Sequence, residues 1–316
     1  MVSAGGTCAG TIATLSCSEA ALPAGTWYYT VTPVLAAWVG PESARSVGVV
    51  IADTAKPAAP TISAPKVVYF ANKANAPVSG TAVAGVLVTV TATDAGGLQR
   101  VSQPVSPNGT GQWAVSDFDL SGLSDGLITY TAIATNAAGT TSNPTTATTT
   151  KDTVAPTATV SLSNLASNTA GVAETGDTLT IKYSGDINSN TICNLWNNGV
   201  QPQEIAGGNA VTVTISSNTL TVTTGGSAGC TVNIGPVTLG ANYGSLIFKG
   251  NSGNGTPSKI GWNDGTHTLT VTLGTRNTAS NTNVAESSPT VAPPTGVTDT
   301  AGNQAVGVAP AAASRF

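Results

Sequence analysis

The side chains able to do chemistry are few, and their spacing limits what they can do. His267 is the only histidine in 316 residues and stands at the start of a strand pattern, Thr266-His267-Thr268-Leu269. It shares parity with Leu269 and Val271, so it is expected to point toward a core or a sheet end. Gly225-Gly226-Ser227-Ala228-Gly229 has the GxSxG form of a nucleophile elbow. That elbow needs a strand before it and a helix after it, whereas here strand patterns lie on both sides and Cys230 follows. A hairpin loop is the expectation. Gly250-Asn251-Ser252-Gly253 reads in the same way as a turn. No catalytic residue is assigned, and the expectation is a protein that is not an enzyme.

The four cysteines form two local pairs, Cys8 with Cys17 and Cys193 with Cys230. There is no CxxC, and one histidine cannot complete two zinc sites, so disulfides are the preferred reading and four buried thiols the alternative. Loop entropy gives about 2.5 kcal/mol for the short loop and about 3.5–4 kcal/mol for the long one. The only metal candidates are acids near segment ends: Asp152, Glu174, Asp177 and Asp299, with the carbonyl of Asn303. Calcium takes six to eight oxygens, and these acids match no EF-hand or RTX spacing. Turn and cap roles compete with calcium, and no other cofactor is expected. Lys182 lies on the strand face opposite Leu179, Ile181 and Tyr183, hence toward solvent and unsuited to a buried isopeptide crosslink. The Asn-x-Thr sequences at Asn108 and Asn254 read as turns.

Composition sets the background for these residues. The chain has 11 Lys+Arg and 15 Asp+Glu, 8% charged, with 51 Thr, 36 Gly and 18 Pro. An ordinary soluble domain is about 25% charged. A net charge of −4 removes the basic surface that nucleic-acid binding needs. No apolar run reaches the length of a membrane span. The start, Met1 to Gly6, lacks the pattern of a signal peptide, so any export signal is expected outside this chain.

The elements that must position these groups are strands. Val86, Val88 and Val90 share one face while Thr89, Thr91 and Thr93 share the other. The same alternation recurs over 211–215, 220–223 and 269–273. Alternating β-branched residues bounded by Gly, Asn, Asp and Pro predict short antiparallel strands with one wet face. No segment offers a credible amphipathic helix, and the Ala-rich tail at 309–313 carries Pro310. The linker Asp53-Thr54-Ala55-Lys56-Pro57 has a counterpart in Asp152-Thr153-Val154-Ala155-Pro156, 99 positions later. Proline makes these poor strand centres and good semi-rigid connectors. They divide the chain into 1–53, 54–152 and 153–316.

The middle segment carries Ser79-Gly80-Thr81-Ala82, Gly109-Thr110-Gly111-Gln112-Trp113, Leu120-Ser121-Gly122-Leu123-Ser124-Asp125-Gly126 and Tyr130 to Gly139. In this order they resemble the bacterial immunoglobulin-like (Big-type) modules of surface proteins and adhesins. The resemblance implies an inter-sheet core anchor at Trp113, a tyrosine corner at Tyr130 and a hairpin turn at Asn136-Ala137-Ala138-Gly139. Leu22 to Pro33, Gly40-Pro41-Glu42-Ser43 and Val47 to Ile51 are similar to the second half of a fibronectin type III module. Its earlier strands have no counterpart, so apolar surface and strand edges are expected to stay open. The ends of 153–316, Ala155 to Leu162, Gly176 to Ser184 and Val297 to Asn303, are similar to a further bacterial immunoglobulin-like family. The excess length lies in the middle, around a Cys193–Cys230 staple.

The expected fold class is therefore all-β, in tandem immunoglobulin-like β-sandwich domains: a partial fibronectin type III-like module at 1–53, an immunoglobulin-like sandwich at 54–152 and a larger one with a stapled insertion at 153–316. The expected function is a non-enzymatic structural or adhesive segment of a bacterial cell-surface or secreted protein. Its partners would be other copies or surface proteins. The alternative is an accessory carbohydrate-binding region of a larger extracellular enzyme, with glycans as partners. Trp196, Tyr243 and Trp262 are the candidate ligand-binding groups for that reading if exposed, and core residues otherwise.

Overall fold

The computed structural model describes residues 5–200, 203–207, 210–225, 229–250, 255–277, 282–308 and 312–316. Gly226 to Ala228 of the GxSxG stretch, Asn251 to Gly253, the Asn254 sequon and Pro310 lie outside the described residues. Among the described residues there are strands and two 3-10 turns but no α-helix. Tertiary contacts divide the chain into two units, Met1–Lys66 with Ala74–Thr150, and Val67–Lys73 with Lys151–Phe316.

The first unit contains a β-sandwich and a β-ribbon. In the sandwich, one sheet runs Thr145–Lys151, Gly126–Thr135, Leu87–Asp94, Gln99–Val101. The facing layer pairs Val78–Thr81 with Gln112–Val115, and Ser63 bridges to Ser79 at its edge. Leu87–Asp94 aligns with Gly126–Thr135 in antiparallel register, with Val88 opposite Ala134, Val90 opposite Ala132 and Ala92 opposite Tyr130. Those residues are buried, and Thr89, Thr91 and Thr93 are half-buried on the other face. The two-residue period of the sequence is thus realised as one dry face and one wet face.

Trp113 is buried between the layers as the expected anchor. Its indole reaches over Gly80, where an added Cβ would stand 2.0 Å from the Thr61 carbonyl and 2.8 Å from the Trp113 ring. Only glycine permits that approach. Tyr130 departs from the tyrosine-corner expectation. It lies mid-strand with its ring between the sheets, tilted against Phe118 at 6.3 Å, and its buried hydroxyl makes no hydrogen bond to protein. Burial pushes that hydroxyl up to about 12, because the low-dielectric core disfavours the phenolate.

The ribbon occupies residues 25–51. Gly25–Trp27 pairs with Val49–Ile51, and Val34–Leu35 pairs with Trp38–Val39 at the tip. Between them, the Tyr29 and Val31 N–H groups donate to the hydroxyls of Ser46 and Ser43, both at 3.0 Å. Serine side chains there stand in for ladder carbonyls. No second layer covers the ribbon among the described residues; Val34, Leu35, Trp38, Val39, Val47 and Val50 are exposed, and Trp27, Tyr29 and Ile51 are half-buried. The strand edges of this two-stranded pairing stay open among the described residues.

The second unit is one larger sandwich around one core. Its six-stranded sheet runs Gln203–Ile205, Lys259–Asn263, Thr268–Thr272, Thr178–Tyr183, Thr157–Ser163, Val306–Gly307. Its five-stranded sheet runs Ser245–Phe248, Val211–Ser216, Thr219–Thr224, Val237–Thr238, Thr290–Val291. Four of those five strands fall between residues 185 and 265, and the same stretch supplies Gln203–Ile205 and Lys259–Asn263 to the six-stranded sheet. Core residues from both sheets form a single cluster that includes Leu179, Ile181, Val213, Leu220, Trp262 and Leu269.

Candidate functional site

The groups singled out by their chemistry are mostly engaged in holding turns. Both cysteine pairs are disulfides, and no free cysteine remains among the described residues. Cys8–Cys17 closes a surface loop whose ends are also joined by Thr7 and Ser18. Cys193 and Cys230 are buried in the core of the second unit beside Ile192 and Trp196.

The acids form two separate turns. Asp299 Oδ1 accepts the Gly302 and Asn303 N–H groups at 2.7 and 2.8 Å, and its Oδ2 accepts Asn303 Nδ2–H at 2.8 Å. The same Nδ2 donates to the Asp152 carbonyl at 3.0 Å, while Asp152 Oδ1 accepts the N–H of Val154. In the other turn, Asp177 is fully buried. It accepts the Leu165 N–H and Asn168 Nδ2–H on Oδ1 and the Glu174 N–H on Oδ2, all at 2.8 Å. Burial pushes its carboxyl above the usual range, and the Leu165 and Glu174 N–H groups oppose that shift. Glu174 Oε2 accepts the Thr169 N–H at 2.6 Å. A cation site needs oxygens whose lone pairs converge, but here N–H donors occupy them. No three acids, histidines or cysteines gather in a metal-binding group among the described residues. Adding EDTA or calcium is therefore expected to leave the melting temperature unchanged, as read by differential scanning calorimetry. A rise in calcium would show that the ion displaces those N–H donors.

His267 closes the turn between Lys259–Asn263 and Thr268–Thr272. It has a left-handed backbone, φ +53°, and its carbonyl accepts the Tyr183 N–H at 2.9 Å. Its Nε2 faces Asp186 Oδ1 at 2.8 Å. The half-buried ring lies at a sheet end, where the left-handed turn and not strand parity sets its direction. Lys182 is exposed, and Asn108 folds its own loop by accepting the Thr110 and Gln112 N–H groups.

Trp196, Tyr243 and Trp262 are all buried. Trp262 stands edge-on to Tyr183 at 5.9 Å and Tyr243 edge-on to Phe316 at 5.4 Å. The stacking role is corrected on this point: rings packed into the core present no face to a sugar. Trp262 points inward by its parity on Lys259–Asn263, whereas Trp196 and Tyr243 pack into the core from segments between strands.

A run of exposed aromatic and apolar groups lies on the ribbon. Leu35 is 75%, Val50 73% and Trp38 58% exposed. A groove of about 690 Å³ beside it is lined by Glu19, Trp27, Tyr28, Tyr29, Glu42 and Arg45, among others. The Arg45 guanidinium lies over the Tyr28 ring at 5.9 Å. Desolvation and a hydrogen bond with Glu19 raise the Tyr29 hydroxyl.

One structural acid was missed from the sequence. Asp94, buried at the end of Leu87–Asp94, accepts the Gly96 and Leu98 N–H groups on Oδ1 and that of Ser124 on Oδ2. The Ser124 N–H above all holds its carboxyl below the usual range. The signal available was Asp94-Ala95-Gly96-Gly97, an Asx-turn sequence.

No protein-family description and no curated protein sequence matches the chain. The chain has low similarity to solved structures that include the following three. A tetra-tandem repeat in the extending region of a large adhesion protein shares 19% identity, covers 76% of this chain and 54% of its own, and has a TM-score of 0.29. All three are adhesin structures. A bacterial ice-binding adhesin, studied for host cell surface retention, shares 18% identity over 69% of this chain and 65% of that chain, TM-score 0.30. A Ca2+-stabilised adhesin with which an Antarctic bacterium binds ice shares 19% over 78% and 55%, TM-score 0.30. The chain thus spans between about half and two thirds of the length of these structures.

Proposed function

We propose that the chain is a non-enzymatic structural and adhesive segment of an exported or cell-surface bacterial protein. It is organised as a partial fibronectin type III-like module at 1–53, a Big-type sandwich at 54–152 and a larger sandwich at 153–316. The observation that carries this reading is where the reactive groups are used. Its described acids, cysteines and single histidine mainly brace turns and cores, while the largest apolar exposure is an uncovered β-ribbon. Two disulfides support an oxidising compartment outside the cytosol.

The ribbon is the contact surface in this reading. A two-stranded sheet with free edges is a template for pairing with another chain, and between Leu22 and Ile51 only Glu42 and Arg45 carry charge. A second copy of the chain is the contact proposed. The test is sedimentation velocity across a concentration series for the intact chain and for Leu35→Glu and Val50→Lys. The wild type is expected to self-associate, and both variants to remain monomeric with unchanged melting temperatures. A wild type that stays monomeric at high concentration would overturn the self-contact.

A further inference from the structure

The two linker aspartates repeat a geometry as well as a sequence. Asp53 Oδ1 accepts the Ala55 N–H and Asp152 Oδ1 accepts the Val154 N–H, each at 3.0 Å. Each aspartate therefore folds its own linker into the same side-chain turn. In both units an asparagine on a late turn of the sandwich then reaches back to that linker.

In the first unit the asparagine is Asn136, which opens the turn closed by Thr140. Its Oδ1 accepts the Ala138 and Thr140 N–H groups and so shapes the turn. Its Nδ2 donates to the carbonyls of Asp53 at 2.7 Å and Ala55 at 3.1 Å. Lys56 Nζ adds a bond to Asn143 Oδ1 at 2.7 Å. In the second unit the asparagine is Asn303, which closes the Asp299 turn. Its Nδ2 donates to the Asp152 carbonyl at 3.0 Å, and its Oδ1 accepts the Phe70 N–H at 2.8 Å.

We propose that Asn136 and Asn303 are linker locks. Each ties the linker to the sandwich it leads into, so that one end of a proline-containing connector is held against that sandwich. A free linker of this composition would be semi-rigid along its length and unrestrained at its ends. The lock fixes the entry end by a side-chain amide that donates to linker carbonyls, and it needs no metal ion. The inference stands apart from whatever the ribbon contacts, since both asparagines lie outside the ribbon.

The two ends of the Asn136 amide make the role separable. Asn136→Asp keeps the oxygen that shapes the turn and removes the N–H donors that hold the linker. Amide hydrogen exchange is to be read at Ala55 and Val154 in the intact chain. N136D is expected to speed exchange at Ala55 about tenfold, the range that one or two net hydrogen bonds supply, and to leave Val154 unchanged. Asn303→Leu should do the reverse. Lys56→Met touches no turn and should raise Ala55 exchange by a smaller factor, which keeps the test open if N136D loosens the sandwich itself. The proposal is overturned if Ala55 in the wild type exchanges like an unstructured chain. It is equally overturned if neither N136D nor K56M changes its rate.

Discussion

Trp262→Ala is expected to destabilise the second unit by about 3–5 kcal/mol, the range for emptying a fully packed aromatic site. Trp262 is 1% exposed, sits edge-on to Tyr183, and donates its indole N–H to Asp264 Oδ1 at 3.3 Å. Removing it leaves a cavity between Ile260 and Leu269, breaks the ring pair and frees the Asp264 contact at the hairpin turn. For a unit of this size the loss corresponds to a fall of roughly 6–20 °C in melting temperature. Trp38→Ala on the exposed ribbon tip is the control, with a change within about 0.5 kcal/mol. Urea unfolding followed by tryptophan fluorescence and circular dichroism checks both. Equal effects at the two positions would mean that Trp262 is not core.

The strands were legible because a period of two survives burial. Val86 to Thr93 could be assigned to faces residue by residue, and each valine named there is buried. The exposed apolar residues of 25–51 follow from the same logic, since a two-stranded ribbon gives them no second layer to face. Tyr130 was misplaced because a tyrosine corner requires the hydroxyl to reach a strand end. Whether it does depends on where along Gly126–Thr135 the ring enters the core, and this is set by the partner strand. Linear order does not show how the strands of 185–265 divide between the two sheets, so the sequence supports only a stapled insertion there.

The candidate site was less legible. Asp152, Glu174, Asp177 and Asp299 were identified as acids near segment ends, but the sequence does not show whether their oxygens meet a cation or a backbone N–H. The same limit hid the asparagines. Asn136 and Asn303 reach carbonyls 83 and 151 positions away, and no local period encodes such a distance. The linker repeat at Asp53 and Asp152 was visible, and what it repeats is a hydrogen-bonded joint. Trp196, Tyr243 and Trp262 could be core or stacking residues by type alone, and only the packing of two layers decides between them.

The second large effect concerns the Cys193–Cys230 disulfide, which closes a loop with a sequence separation of 37. Opening it is expected to cost about 3.5–4 kcal/mol by release of loop entropy. Its residues are buried in the same core as Trp196 and Ile192, so reduction also loosens the packing around them. A chain that carries load should show both consequences under tension. Single-molecule extension of the intact chain between its ends is the most direct measurement of that claim. The account predicts two cooperative unfolding steps, one for each sandwich, with the step of the second unit lengthened by roughly 120–130 Å when reductant opens the disulfide, at about 3.3–3.6 Å per residue. Smooth extension at low force without steps, with no change on reduction, would contradict a load-bearing structural role.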